Sequence, residues 1–375
     1  MRSRKVLVFI AMVLVFSVML LAGCGQQKAE APKAPDQKAD ATKAEAPKAE
    51  ETKAKETKAG GKKLTYGYVT PGPDTWYKKD VEGFQYGAGL AGVDVTVLNS
   101  DYNVEKEIAN IDSLINQGVD GMCVFTFNES GANIAAKKCA AAGIPLVVTD
   151  NVGQVIKQGF DVVACIDFDW KAMGNDWAEY IAKNFPGEDI AMVTGLFEHI
   201  PVQMYRSTFE PRVKELGKNK IVAIRDGKYN PEEAVKQAQD LIESGLKFSV
   251  LFVGNEDMAA GVIRMLEGRK LLNNPIKVIS ENGSPVGVPL VKDGKLNYTI
   301  SSSPGWEGMI SFLALHAYTQ KVVTKTKQQI MLPITPVNKD TIDDKKKVIP
   351  WEVDPVWIEL TKEYFPQYNG LYKDK

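Results

Sequence analysis

The chain has 375 residues, with 46 lysines and arginines against 47 aspartates and glutamates, so its formal net charge is only -1. That balance provides no basic field and excludes nucleic acid as a partner. The sequence has two histidines, His199 and His316. Neither belongs to a pattern that pairs a nucleophile with a base or that has the spacing of metal ligands. No glycine-rich dinucleotide fingerprint or phosphate loop occurs either. We therefore expect no cofactor, no metal and no enzymatic activity.

The amino terminus has the order of an export signal. A short basic start precedes an apolar stretch over residues 6–22, which is too short to favour a permanent membrane span. Residues 21–24, Leu-Ala-Gly-Cys, resemble the bacterial lipobox, in which the cysteine becomes lipidated after processing. The sequence predicts a signal peptide at residues 1–23 and a lipid anchor on Cys24. An ordinary secretory signal with an incidental cysteine is the alternative.

Residues 24–63 contain little besides lysine, alanine, glutamate, proline and threonine, and a Lys-Ala pair recurs every five residues from Lys28 to Lys58. The segment has no aromatic or branched aliphatic side chain to bury, so it predicts a solvated tether rather than a domain. It would span about 35 Å as a random coil and about 120 Å as an extended polyproline helix. Binding of a wall polymer is a minor alternative, because acidic residues nearly balance the lysines.

From Leu64 onward, short and nearly continuous apolar runs alternate with helical periods, which is typical of buried parallel strands joined by helices. The predicted strands cover residues 64–69, 93–98, 121–125, 146–149, 162–166, 190–194, 221–225, 249–253, 278–281 and 296–301. Six predicted helices cover residues 132–142, 171–185, 203–216, 231–244, 257–267 and 306–318. Two earlier helices have apolar residues at positions 81, 84, 88 and 91 and at positions 108, 111, 114 and 115, and the second of them ends at Gly118. The pattern restarts after residue 166, which indicates two similar α/β halves. No element is assigned beyond Lys325.

Three cysteines remain after Cys24, namely Cys123, Cys139 and Cys165. An odd set cannot form a complete disulfide framework, so we expect them to be free, small and buried. A bridge between Cys123 and Cys139 is the alternative that the sequence leaves open.

Candidate binding residues follow the predicted strands. Open parallel sheets bind ligands beyond the carboxyl ends of their strands, where loops and helix starts converge. Five such segments are rich in polar or aromatic residues: 70–77, 126–129, 150–151, 254–257 and 281–284. Rings supply stacking surface, while carboxylates and amides satisfy the hydroxyls of a desolvated solute. The mixture favours a small polar ligand.

Segments 103–121, 142–151, 251–266 and 278–285 together resemble the type I periplasmic binding proteins of ABC importers, specifically the ribose and galactose group. The resemblance covers residues 64–325. It implies two Rossmann-like parallel-sheet lobes joined by a hinge of three crossovers, near residues 166–167, near 302–303 and after Lys325. The first lobe would comprise residues 64–166 and 304–325. The second lobe and the carboxyl-terminal tail would comprise residues 167–303 and 326–375.

The resemblance also implies a ligand site between the lobes. In the first lobe the matching positions are Asp74, Trp76, Tyr77, Thr126, Asn128, Asp150 and Asn151. The family's aromatic pair, here Trp76 and Tyr77, clamps the sugar ring, and Asp150 matches a carboxylate that accepts from sugar hydroxyls. An aspartate that only caps a turn is the alternative for Asp150.

In the second lobe the matching positions are Arg206, Tyr229, Asn255, Asn282 and Ser302. Asn282 stands where the family usually has a carboxylate, with Glu281 one residue earlier, and Ser302 stands where an amide is common. These departures favour a modified sugar, a polyol or a nucleoside-like ligand over a standard pentose or hexose. His199 and Trp306 are secondary candidates, since a lone histidine is more often a surface residue and a tryptophan at a helix start more often core.

The sequence thus predicts an extracytoplasmic, lipid-anchored, monomeric receptor that closes around a solute and delivers it to an ABC permease. A sensory lipoprotein that signals to a chemoreceptor or a membrane kinase is the alternative. Lactose-repressor-type regulators share the lobe architecture, but here a signal peptide and a tether replace the DNA-binding helix-turn-helix.

Overall fold

The computed structural model describes residues 63–126, 129–150 and 153–373. The predicted signal peptide, Cys24 and almost all of the predicted tether lie outside the described residues. Two predicted site residues, Asn128 and Asn151, also lie outside them.

The first part of the chain alternates strands and helices as predicted. Its elements are β1 Thr65–Thr70, α1 Thr75–Ala91, β2 Asp94–Asn99, α2 Val104–Gln117, β3 Gly121–Phe125, α3 Glu129–Ala142, β4 Leu146–Thr149, α4 Gln154–Lys157 and β5 Ala164–Phe168. All neighbouring strands in this part pair in parallel. Strands β1, β3, β4 and β5 are almost wholly buried, which explains their continuous apolar sequences.

The second part repeats the pattern. Its elements are α5 Trp170–Asn184, β6 Ile190–Thr194, α6 Ile200–Leu216, β7 Ile221–Asp226, α7 Pro231–Glu243, β8 Val250–Val253, α8 Glu256–Gly268, β9 Lys277–Ile279, α9 Gly287–Lys292 and β10 Thr299–Ser301. The order β7-β6-β8-β9 forms a second parallel sheet. Two isolated parallel bridges, from Ile279 to Tyr298 and from Asn282 to Ser301, place β10 beside it.

The last part of the chain is shared between the two sheets. Its elements are α10 Pro304–Thr319, β11 Gln328–Leu332, β12 Thr335–Val337, α11 Val356–Tyr364 and a 3-10 turn at Pro366–Tyr368. Strand β11 pairs in parallel with β5, completing the order β11-β5-β4-β3-β1-β2, and β12 pairs antiparallel with β10. We call the six-stranded sheet with its helices the first lobe, and the sheet bordered by β10 and β12 the second lobe.

The predicted α/β fold of two parallel-sheet lobes is confirmed, and the chain crosses between lobes after β5, after β10 and after β11. The assignment of residues 326–375 to the second lobe is wrong in two places. Residues 328–332 pair with β5 in the first sheet. The tail around α11 also packs on the first lobe, where the Trp306 indole donates to the Thr361 hydroxyl at 3.1 Å.

Local sequence signals position the helices that border the lobe ends. Asn103, Asp169, Asn230, Asn255 and Ser303 each accept, through a side-chain oxygen, from a backbone N–H in the first turn of the following helix. Helices α1 and α10 cross unusually closely. At the crossing, a side chain at Gly83 would meet the carbonyl oxygen of Gly305 at 1.8 Å. Only glycine allows this approach.

Two further expectations concern buried side chains. Cys123, Cys139 and Cys165 are free and buried, so the preferred interpretation is confirmed and the bridge between Cys123 and Cys139 is absent. Trp306 is fully buried, which makes it a core residue and not part of a cleft. Among the described residues, no helix combines the length and apolar character that crossing a bilayer requires.

Candidate functional site

The two lobes contact each other where the loop after β4 faces the loop after β6. Asp150 Oδ2 of the first lobe lies 2.8 Å from His199 Nε2 of the second lobe. The other imidazole nitrogen, His199 Nδ1, is 3.1 Å from the Tyr229 hydroxyl, and the two rings meet edge to face. Asp150 and Tyr229 therefore converge as predicted. His199, only a secondary candidate from the sequence, stands between them.

Backbone conformation aims these side chains inward. Asp150 has a φ of 55° directly after β4, and Tyr229 has a φ of 52° in the turn after β7. Left-handed conformations of this kind are uncommon outside glycine, and they concentrate at functional sites. Tyr229 also lies against Gly195, where any side chain would meet the phenol ring at 2.1 Å. The close approach of the ring thus depends on a glycine after β6.

The predicted aromatic clamp stands at the start of α1. Trp76 is half-buried and lies edge-on to Phe168 at a ring distance of 6.1 Å. Tyr77 packs edge-on against Phe125 at 4.9 Å. Burial raises the pKa of Tyr77, and the negative charge of Asp150 raises it further, which places the phenol within electrostatic reach of that carboxylate. Tyr77 therefore lies near the Asp150 centre, and Trp76 precedes it on α1.

Acidic groups from both lobes also approach one another at the rim. Asp74, the exposed N-cap residue of α1, accepts a hydrogen bond from the Tyr102 hydroxyl. Asp257, near the start of α8 in the second lobe, has a raised pKa through partial burial and then through the charge of Asp74. The predicted polar position at Asp74 therefore faces the opposite lobe.

Glu281 is a buried carboxyl group that lies close to this centre. The sequence identifies it only as the residue before Asn282, where the family usually has a carboxylate. Glu281 is 3% exposed, and within the described residues its Oε2 atom has no hydrogen-bond partner. Burial raises its pKa well above the ordinary range, and the charges of Glu256 and Asp150 add to the effect. A buried acceptor without a partner is costly, so a ligand hydroxyl or amine at this point would be stabilising.

The loop that carries Glu281 is held rigidly by Glu256, which lies fully buried beneath it. The Glu256 carboxylate accepts from the backbone N–H of Gly283 at 2.9 Å, from that of Ser284, and from the Thr299 hydroxyl at 2.6 Å. Burial raises the pKa of Glu256 to about 7, although these hydrogen bonds lower the pKa. Glu256 is therefore a supporting group.

Asn282 and Ser302 meet at the second crossover, as their predicted positions require. The backbone N–H of Ser302 donates to the carbonyl of Asn282 at 3.0 Å, and its hydroxyl lies 3.4 Å from Asn282 Oδ1. Asn282 has a φ of 110°, and Ser302 is fully buried. The pair connects the Glu281 loop to the hinge.

The structure does not bring every predicted residue to the centre. Arg206 pairs with Glu210 at 2.8 Å and covers the Phe197 ring. Tyr205 occupies the buried face of α6 and packs on Trp177, while the next position turns outward, so donation from Arg206 to a ligand stays a prediction.

Two other predicted contacts have local roles in the structure. Asn255 uses its side-chain oxygen to cap α8, accepting from Met258 N at 2.9 Å. Thr126 is 2% exposed, and its hydroxyl and the buried Glu107 carboxyl group both lie against Gly131. Burial raises the pKa of Glu107 to about 7. In the described part of the chain, no cluster of three or more His, Cys, Asp or Glu side chains is arranged to hold a metal ion.

Comparison with known proteins is consistent with this geometry. The sequence profile of the periplasmic binding protein domain matches residues 67–321, more than half of the chain. The ribose import binding protein of Salmonella typhimurium is 27% identical over 224 residues, which are 60% of this chain and 73% of that protein. The fructose import binding protein of Bifidobacterium longum is 25% identical over 250 residues, covering 65% of this chain and 76% of that one.

A solved structure shows the same fold. An ABC transporter solute binding protein from Bacillus halodurans, with bound myo-inositol, superimposes with a TM-score of 0.70 at 18% identity. The match covers 78% of this chain and 100% of that chain.

Proposed function

The chain belongs to the periplasmic binding protein family, and we propose that it is the extracytoplasmic solute-binding lipoprotein of an ABC importer. Its ligand is a sugar or a sugar-like polar molecule, held between the two lobes. The observation that carries the proposal is the meeting of Asp150 from the first lobe with His199 and Tyr229 from the second, with the Tyr77 phenol within electrostatic reach of Asp150.

The chemistry of these groups fits a polyhydroxylated ligand. Asp150 and Glu281 offer carboxyl oxygens that accept from hydroxyls, and His199 and Tyr229 can donate or accept. Trp76 and Tyr77 offer ring faces and edges to the apolar side of a sugar. The carboxyl groups of Asp150 and Glu281 disfavour a strongly anionic ligand, and the Arg206 guanidinium is paired with Glu210.

Closure follows from the way the groups are divided between the lobes. A ligand that touches Asp150 and Glu281 at once gains both sets of contacts only when the lobes are closed, so it shifts the population toward closure by its differential affinity. The three crossovers after β5, β10 and β11 provide the hinge. The permease would then recognise the closed lobe surfaces and receive the ligand unchanged.

The relatives support import rather than signalling. Both curated relatives are named as import binding proteins. The structural neighbour is an ABC transporter component with a bound polyol, myo-inositol. Ribose, fructose and polyols of that kind therefore define the ligand classes to test first.

A thermal-shift screen tests the proposed function. Residues 25–375 would be screened against pentoses, hexoses, cyclic and linear polyols, nucleosides and amino acids. A ligand present at one hundred times its dissociation constant adds about 2.7 kcal/mol to the free energy of unfolding, which gives a clear rise in melting temperature. We expect the rise within the sugar and polyol set. A response confined to amino acids would refute the proposal, as would chemical conversion of the bound compound.

Lipid attachment at Cys24 is tested separately. In cells fed with labelled palmitate, we expect the wild-type chain to carry label and to fractionate with membranes. The Cys24→Ala variant would lose both properties, because no other cysteine follows a signal-like segment. The matched control is Cys139→Ala, which removes a buried thiol of the folded part and should leave the label in place. Label that persists in Cys24→Ala would contradict a lipid at this position.

A further inference from the structure

The carboxyl-terminal tail, for which the sequence predicted no structure, is fixed to both lobes. On the second lobe, β12 pairs with β10, and the backbone N–H of Ile349 donates to the Ser301 hydroxyl at 3.1 Å. On the first lobe, Trp357 is fully buried and packs edge-on to Tyr86 of α1. The stretch between these anchors, residues 350–354, therefore passes from one lobe to the other as a fourth connection at the hinge.

Trp351 lies in the middle of this connection and is 5% exposed. Its indole ring meets that of Trp76 edge to face, with centroids 5.3 Å apart and an interplanar angle of 89°. Its Nε1–H group donates to the backbone carbonyl of Asn282 at 3.4 Å. One side chain thus contacts both the aromatic clamp of the first lobe and the Glu281 loop of the second.

The backbone around Trp351 is held in place on several sides. The Pro350 carbonyl accepts from the Ser303 hydroxyl at 2.7 Å and from the Trp357 indole at 2.9 Å. Glu352 forms an ion pair with Lys79 of α1, the helix that carries Trp76. Gly305 leaves the necessary room, since a side chain there would come within 2.7 Å of the Trp351 carbonyl oxygen. The position of the indole is therefore determined by the surrounding structure.

We propose that Trp351 is a positioning residue that orients the Trp76 clamp and couples it to lobe closure, an inference that rests on the proposed function of the cleft. The edge-to-face contact restricts the Trp76 indole to one orientation, so less conformational entropy is lost when a ligand stacks on it. The bond to Asn282 joins the residue beside the clamp to the second lobe, and in the proposed role it is lost when the lobes separate. It adds to the closed state an interaction that an open hinge lacks.

The test needs no ligand. The chain would be labelled with 5-fluorotryptophan, and the Trp76 fluorine resonance would be assigned with the variant Trp76→Phe. In Trp351→Ala we expect the Trp76 resonance to shift and broaden, because its neighbouring ring is gone. Small-angle scattering should show a larger radius of gyration as the closed population falls. Trp351→Phe keeps a ring beside Trp76 but lacks the indole donor, so it should retain most of the Trp76 signal while still opening the hinge.

Trp306→Phe is the matched control, because it loses the indole hydrogen bond to Thr361 of the same tail and leaves both hydrogen bonds of the Pro350 carbonyl in place. It should lower the melting temperature and leave both the Trp76 resonance and the scattering curve unchanged. If Trp351→Ala fails to fold, Trp351→Phe decides between the outcomes. A wild-type Trp76 resonance in Trp351→Ala, or a wild-type radius in Trp351→Phe, would overturn the proposal. Equal effects in Trp306→Phe would also overturn it, since the tail would then act only as structure.

These outcomes are separate from those of the ligand screen. Absence of any sugar-induced thermal shift would count against the proposed function and would leave the Trp76 and hinge measurements intact. Conversely, a sugar that raises the melting temperature while the Trp76 resonance stays unchanged in Trp351→Ala would refute the positioning role alone.

Discussion

Replacing Asp150 with asparagine is expected to lower the affinity for the sugar or polyol found in the screen by about 100-fold. A hydrogen bond to a charged group contributes about 1.5–3 kcal/mol, and each 1.4 kcal/mol is tenfold in affinity. Two ligand hydroxyls bound to this carboxylate therefore account for the loss. The variant also replaces the carboxylate that lies 2.8 Å from His199 Nε2 with an amide. Isothermal titration of both proteins with the same compound measures the change.

The substitution suits the test because asparagine, like aspartate, tolerates the left-handed backbone that Asp150 adopts at a φ of 55°. The fold should therefore persist, and the melting temperature without ligand reports whether it does. Asp112→Asn is the matched control, since Asp112 lies on α2 and pairs with Lys138, away from the cleft. We expect less than about a twofold change for the control, as for most surface pairs. Full affinity in Asp150→Asn would remove Asp150 from the site.

The sequence predicted the parts of this site that depend on strand order. Trp76, Asp150 and Tyr229 each follow a strand that the apolar pattern identified, and parallel strands deliver their carboxyl ends to the same edge of a sheet. Glu281 and Asn282 follow β9 for the same reason. The end of an apolar strand is clear in the sequence, because polar residues follow it directly. A prediction of which residues lie beyond that end therefore tolerates small errors in the predicted strand boundaries.

Other parts depended on contacts that a linear pattern does not encode. The direction of Arg206 is not fixed by the sequence, because a shift of one position on a helix turns a side chain by about 100°. Tyr205, one position earlier, holds the buried face of α6. The importance of His199 comes from its distance to Asp150, residues that are far apart in sequence. The tail gave no periodic signal because α11 and β12 are short, and indole and hydroxyl hydrogen bonds to the first lobe help to hold it.

A buried acidic pair lies directly behind the clamp and predicts how stability depends on pH. Asp80 of α1 and Glu307 of α10 face each other where the two helices cross, and the Tyr68 hydroxyl donates to Asp80 Oδ1. Both carboxyl groups are buried. Burial raises the pKa of Asp80 to about 8, with Asp150 adding to the shift, and raises that of Glu307 well above its ordinary range.

The sign of the effect follows from proton binding. Unfolded aspartate has a pKa of about 3.9, so between about pH 4 and pH 8 the folded chain holds a proton on Asp80 that the unfolded chain has lost. The stability contributed by this group is full below about pH 4, and it declines as the pH rises toward 8. One such proton changes the free energy of unfolding by at most about 1.4 kcal/mol per pH unit.

We therefore expect the urea midpoint of the wild-type chain to fall steadily from pH 5 to pH 8, and the midpoint of Asp80→Asn to fall less. The asparagine oxygen still accepts from Tyr68, while its amide is uncharged at every pH in this range and can act as a donor. Glu107, Glu256 and Glu281 titrate in the same direction in both proteins, so the difference between the two curves reports the Asp80 and Glu307 pair. Asp112→Asn should follow the wild-type curve. Parallel curves for the wild type and Asp80→Asn would show that Asp80 is ionised in the folded chain at neutral pH, and that the interior behind the clamp tolerates its charge.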